Sequence, residues 1–189
     1  MQELQTIRST IKSLITQIQP LDKKESDHIA FVENWIESGS EIFRTAKPAT
    51  PDPHLVSYFL LIDQKKHQIL LVDHKKANLW LPAGGHVEPN EHPKDTVTRE
   101  LQEELGVKAN FISNKPFFLT VSQTRGDINK HTDVSLWYLL KSDTKTPLSF
   151  DKKEFHTIKW FSPKNIPLQK SEPHMSRLLQ KLSIHNIFL

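Results

Sequence analysis

Three glutamates, Glu100, Glu103 and Glu104, stand close together in a segment with helical patterning, and two adjacent glycines, Gly84 and Gly85, precede it. At about 100° per residue, Glu103 lies about 60° to one side of Glu100 and Glu104 about 40° to the other, so one arc of a helix carries all three. Val97, Leu101 and Leu105 occupy the neighbouring arc, which gives the helix a face to bury beside its acidic one. Carboxylates this close repel and raise one another's pKa values unless a cation neutralises them, and hard oxygen donors suit Mg2+ or Mn2+. The same three residues also fit a solvated face, with Arg99 and Glu103 as an ordinary i,i+4 pair. The glycines shift the balance toward a site, because a missing side chain lets main-chain groups approach a ligand, although two glycines also make a tight turn. Gly106 fits a helix C-terminal cap and needs no other role.

The full run reads glycine, five residues, glutamate, seven residues, then Arg-Glu-apolar-x-Glu-Glu-x-Gly-apolar: Gly85, Glu91, Arg99, Glu100, Leu101, Glu103, Glu104, Gly106 and Val107. This resembles the Nudix box at all nine specified positions. The resemblance implies an α+β fold, an α/β/α sandwich around a mixed β-sheet, in which the box forms a loop, helix and loop. It also implies a metal-dependent hydrolase that cleaves a phosphoanhydride bond in a nucleoside diphosphate-linked substrate. Carried over by position, Glu100, Glu103 and Glu104 are metal ligands, the Gly85 carbonyl is a further ligand, and Arg99 organises the carboxylates through Glu91. Glu100 is the first choice of general base, with Glu154 and Asp133 as distant alternatives.

These residues need elements to hold them. Ile7, Ile11, Leu14, Ile15 and Ile18 recur at helical spacing up to Pro20; Ile29, Val32, Trp35 and Ile36 repeat the pattern after Ser26-Asp27, with Gly39 as a stop. The pair predicts a helical N-terminal extension over residues 1–46. Three prolines within residues 47–53 disfavour helix and central strand alike, and mark a linker. The catalytic domain is then expected over 54–189. There Leu55 to Ile62 and Gln68 to Val72 read as a β-hairpin, with further strands at Val107 to Ile112, Phe117 to Ser122, Val134 to Leu140 and Thr157 to Phe161. Pro93 to Leu105 and Ser171 to Ile184 read as helices.

Composition narrows the function further. The chain has 189 residues, 37% hydrophobic and 25% charged, which suits one packed domain with an appendage. No apolar run reaches the roughly 18 residues of a membrane span, and the amino terminus lacks a signal-peptide pattern; a cytoplasmic protein is expected. The formal charge is +3 and the lysine pairs are scattered, so nothing favours nucleic-acid binding. Cysteine is absent, which removes thiolate nucleophiles, thiolate zinc sites and the catalytic thiol of prenyl-diphosphate isomerases, a rival class on the Nudix fold.

Substrate selectivity must lie outside the box. Gly84, His86 and Arg125 are candidate substrate contacts, Arg125 as a bidentate phosphate clamp, and Phe59, Phe118, Trp137 and Tyr138 are candidate stacking surfaces, although core packing suits each aromatic better. Alternation places Trp137 on the opposite sheet face from Leu136 and Tyr138. The downstream proline, tyrosine and extended motifs that mark ADP-ribose, dinucleoside polyphosphate and NADH enzymes are missing, leaving a nucleoside di- or triphosphate by elimination. The alternative is a nucleotide-sensing module on the same scaffold that binds without turnover, for which a degraded box would be expected. The N-terminal hairpin has three open roles: lid, homodimer contact or padding.

Overall fold

The computed structural model describes residues 2–47, 49–124 and 130–188, with the side chains of residues 2–5 left out. Two helices come first, α1 (Gln2–Thr16) and α2 (Lys23–Glu37). The strands follow: β1 (His54–Asp63), β2 (Gln68–His74), β3 (Leu79–Leu81), β4 (Ala83–His86), β5 (Phe118–Gln123), β6 (Thr132–Lys141) and β7 (Phe155–Phe161), with α3 (Pro93–Leu105) between β4 and β5 and α4 (Met175–Ile184) at the end. All seven join one sheet in the order β3-β2-β1-β6-β5, with β4 added along β1 and β7 along β2. β1 and β6 run parallel and the other pairs antiparallel, so the sheet is mixed, as expected.

Alternation along β1 and β6 splits the core in two. Leu55, Phe59, Leu61, Leu136 and Tyr138 face α1, α2 and α3 and pack with Ile11, Ile15, Val32, Val97 and Leu101. Leu60, Ile62, Trp137 and Leu139 face the other way and pack with Met175, Leu178 and Leu182 of α4. The result is the layered α/β/α arrangement, preceded by two helices. Trp137 and Tyr138 do lie on opposite faces. Both are fully buried, as are Phe59 and Phe118, so these aromatics belong to the core.

The N-terminal hairpin is tied to the sheet by charge as well as by apolar packing. Glu25 of α2 is fully buried; its Oε1 accepts from the Leu119 amide at 3.2 Å and from Lys181 Nζ of α4 at 2.7 Å, and its Oε2 accepts from Leu21 at 2.6 Å. Three donors and one opposite charge compensate its desolvation. The helix also starts a turn earlier than the Ser26-Asp27 pair suggests. Asp22 is the cap, its Oδ1 accepting from the Glu25 amide at 2.8 Å.

Other boundaries shift for identifiable reasons. Residues 107–112 form no strand: Phe111 makes a single bridge to Leu140, on the stretch of β6 beyond Trp137, where the pairing with β5 ends. α4 begins at Met175, not Ser171, since Ser171 bridges to Trp80 and its hydroxyl donates to the Trp80 carbonyl at 2.8 Å.

Candidate active site

α3 is built to stop and start where it does. His92 caps its N-terminus, Nδ1 accepting from the Lys94 amide at 3.0 Å, and Pro93 takes the first turn, where its missing N–H costs nothing. Gly106 closes it in the left-handed region at φ 69°. Val97, Leu101 and Leu105 are buried against the sheet, so the carboxylates on the adjacent arc are held at the core's edge.

Arg99 is the hub of that edge. Its guanidinium donates to Glu91 Oε1 at 3.0 Å and Oε2 at 3.1 Å, to Glu100 Oε1 at 2.6 Å and to the His86 carbonyl at 3.3 Å, with Glu103 Oε2 at 3.6 Å. The fork on Glu91 is the bidentate geometry that favours arginine over lysine. Burial pushes Glu91 up, but Arg99, the Glu88 amide and the Thr96 hydroxyl together hold its carboxyl below the usual range. Arg99 is itself raised, first by its hydrogen bonds to Glu91.

Gly84 and Gly85 sit in β4 directly against α3. The Gly84 amide donates to Glu104 Oε2 at 3.2 Å. A Cβ on Gly85 would fall 2.0 Å from Glu100 Oε1, so glycine there is what lets the carboxylate reach the strand. Burial, then repulsion from Glu100 and Glu154, pushes Glu104 up to about 9. Glu100 is raised as well, by burial first. Gathering Glu100, Glu104 and Glu154 on one wall therefore costs free energy that a hard dication offsets, and the oxygen-only donor set fits Mg2+ or Mn2+.

These carboxylates line a polar cleft of about 470 Å³. Arg44, Lys47 and Lys76 line the same cleft, opposite in charge to the glutamates, and His86 lines it as a neutral ring, since burial and the neighbouring Arg44 push its pKa down to about 3. An acidic wall with a basic rim is what a metal-chelated diphosphate requires: oxygens for the cation, cations for the phosphates.

The NUDIX domain profile matches residues 53–182. The chain is 34% identical over 104 residues to a protein of Zymomonas mobilis named RNA pyrophosphohydrolase, an alignment covering 49% of this chain and 67% of that one. Over 34 residues it is 53% identical to an Escherichia coli protein named CTP pyrophosphohydrolase, covering 18% of this chain and 25% of the other. The chain belongs to the NUDIX domain family. In structure it resembles a NUDIX-family hydrolase from Clostridium perfringens, with a TM-score of 0.53, 22% identity, and coverage of 69% of this chain and 97% of that one. The enzyme class expected from the sequence, a Nudix-type pyrophosphohydrolase, is the one its curated relatives carry.

Within this Nudix site, Glu91, Arg99, Glu100, Glu104, Gly84, Gly85 and His86 come together. Glu103 touches the hub through Arg99 and keeps its side chain 61% exposed. Of the two alternative bases, Glu154 lines the cleft and Asp133 does not. Arg125 lies outside the described residues. The basic rim was missed by sequence reasoning, since Arg44, Lys47 and Lys76 come from two unrelated loops without a shared motif. No described helix is long and apolar enough to cross a membrane.

Proposed function

We propose that this Nudix enzyme hydrolyses a phosphoanhydride bond in a nucleoside di- or triphosphate, with Mg2+ or Mn2+ held by Glu100, Glu103, Glu104 and the Gly85 carbonyl. The observation that carries the reading is the Arg99 hub: one guanidinium fixes Glu91 and Glu100, reaches Glu103, and grips the His86 carbonyl on a cleft wall faced by a basic rim. The names of the two curated relatives, RNA pyrophosphohydrolase and CTP pyrophosphohydrolase, support pyrophosphohydrolase activity, and the second of them supports a nucleoside triphosphate.

When bound, the cation neutralises the diphosphate and lowers the pKa of the attacking water. Arg44, Lys47 and Lys76 take the phosphate charge, Gly84 keeps that wall free of side chain, and His86 closes it. Arg99 holds Glu100 Oε1, and Oε2 accepts the proton of the water as its oxygen attacks phosphorus. The bridging P–O bond breaks, and the leaving phosphate departs along the basic rim. Glu91 acts only through Arg99 and is a positioning residue.

The test is incubation with Mg2+ or Mn2+ and a panel of nucleoside triphosphates, nucleoside diphosphates, ADP-ribose, dinucleoside polyphosphates and sugar nucleotides, beside Glu103→Gln. Metal-dependent cleavage of nucleoside di- or triphosphates is expected, reduced about 100-fold or more in the variant, since the cation's charge stabilisation is worth several kcal/mol. Nucleotide binding without products, equal in both proteins, would instead make the chain a sensing module.

A further inference from the structure

A second cluster of ligating side chains lies behind the same strand. His54 opens β1, His86 closes β4, and His131 and Asp133 stand at the start of β6, with one ligand atom of each lying within 4.8 Å of the others. The register puts them there. His54 pairs with Asp133 across the parallel ladder, and His86 pairs with Val56, two residues on from His54, so alternation sends all of these side chains to one face. Gly85 and His86 are consecutive and point oppositely: Gly85 toward Glu100 and α3, His86 toward His54. His86 thus borders both sites, since it also lines the carboxylate cleft, whereas His54, His131 and Asp133 lie outside that cleft.

Its hydrogen-bond geometry leaves a buried lone pair for a cation. His54 is fully buried, and its Nδ1 lies 2.7 Å from the Pro51 carbonyl, which can only accept, so Nδ1 carries the proton. In the neutral ring the Nε2 lone pair then faces Asp133 Oδ1 at 3.5 Å, and this Nε2 has no hydrogen-bond partner among the described residues. His131 Nε2 lies 3.2 Å from the same oxygen, while its Nδ1 turns to the Thr124 hydroxyl at 3.4 Å. A ring that donates one N–H to a backbone carbonyl and keeps the other nitrogen's lone pair free has the second-shell arrangement of a metal-binding histidine.

We propose that His54, His131, Asp133 and His86 form a second metal site in this protein, fitted to a transition-metal dication of the Zn2+ class. Three imidazoles and one carboxylate are a borderline-soft set that suits Zn2+ and discriminates against Mg2+, whereas the α3 site offers only oxygens. Tetrahedral bonds of about 2.0–2.1 Å place ligand atoms about 3.3 Å apart, close to the two distances to Asp133. His86 Nε2 accepts from Arg44 Nη1 at 3.3 Å, and it completes the set by yielding that contact. The site locks the ends of β1, β4 and β6 together, directly behind the glycines that seat Glu100.

The experiment uses the full chain without a histidine tag, stripped with a chelator and returned to excess Mg2+ to fill the carboxylate site. Zn2+ is titrated against a chromophoric competitor, and Co2+ is used as the spectroscopic probe. One Zn2+ per chain is expected, with an intense visible Co2+ band and imidazole nitrogens in the X-ray absorption shell. His131→Gln and Asp133→Asn should each weaken Zn2+ at least about tenfold, and Glu103→Gln should leave it unchanged. Circular dichroism confirms that the variants fold; if they do not, the wild-type absorption shell alone decides. An all-oxygen shell, no binding in excess Mg2+, or loss in Glu103→Gln but not in His131→Gln overturns the proposal. Each of these leaves the hydrolase reading intact, since its test depends on nucleotide cleavage.

Discussion

Gly85→Ala separates the chemistry of the cleft from the stability of the fold. The added methyl would sit 2.0 Å from Glu100 Oε1, 2.3 Å from its Cδ and 3.0 Å from its Cγ. Ordinary contact begins at about 3.4 Å, so the carboxylate must retreat by roughly 1.4 Å. That breaks its 2.6 Å bond to Arg99. A misplacement of about 1 Å in a reacting constellation costs on the order of 100-fold, or about 2.7 kcal/mol in activation free energy. The obstacle is the tip of a flexible side chain, so the melting transition should move by less than about 1 kcal/mol. Gly84→Ala is the contrast. Gly84 has φ +150°, and its added methyl would meet the Ser57 carbonyl at 2.2 Å and the Tyr58 Cα at 2.9 Å, both fixed backbone of β1, so that variant should lose its fold. The assays are turnover of the nucleotide identified by the panel, Mn2+ binding followed by electron paramagnetic resonance, and thermal melting. Gly85→Ala with wild-type turnover and Mn2+ affinity, or unfolded as severely as Gly84→Ala, would refute the reasoning.

Two further predictions concern the hairpin's attachment. Lys181→Met leaves the Glu25 carboxylate fully buried without its counter-charge and should cost about 3–5 kcal/mol in urea unfolding, with part of that recovered in the Glu25→Met/Lys181→Met double variant. Asp22 is held at about 2, chiefly by the Arg177 hydrogen bonds, so its contribution is present above about pH 3.9 and is lost as pH falls toward 2; Asp22→Ala should remove that acid limb from a pH series of melts and cost about 1–2 kcal/mol at neutral pH through loss of the cap.

The box was legible because its geometry is local. α3 runs over Pro93–Leu105 as its periodicity, proline start and glycine stop predict, and the i, i+3, i+4 spacing of the glutamates survives any tertiary context. The β1–β2 hairpin was equally plain, with Ile62 opposite Ile69. β3 and β4 escaped notice because they are three and four residues long and are divided by Pro82, whose missing N–H ends a ladder before a pattern can build up. The histidine cluster was illegible for a different reason. His54, His86 and His131 are far apart in sequence, and only the parallel pairing of β1 with β6 and the antiparallel pairing of β1 with β4 bring them to one face. Ligand spacing along a chain reveals sites built on one element, whereas a site built across strands requires the register.

The same distinction explains why the hairpin bears on the cleft without offering it a catalytic group. Glu25 anchors α2 to β5 and α4, and Arg8 of α1 donates to the Ile36 and Ser40 carbonyls at the end of α2. The chain then turns down through Ile42 and Phe43, both fully buried, and the Ile42 carbonyl accepts from the Leu55 amide of β1 at 2.9 Å. Arg44 is the next residue, and Lys47 follows on the same rim. Arg44 and Lys47 are therefore placed by two apolar side chains and one strand-edge hydrogen bond, while Lys76 reaches the rim from the turn between β2 and β3. The carboxylate wall, carried by α3 and β4, is held separately from this part of the rim.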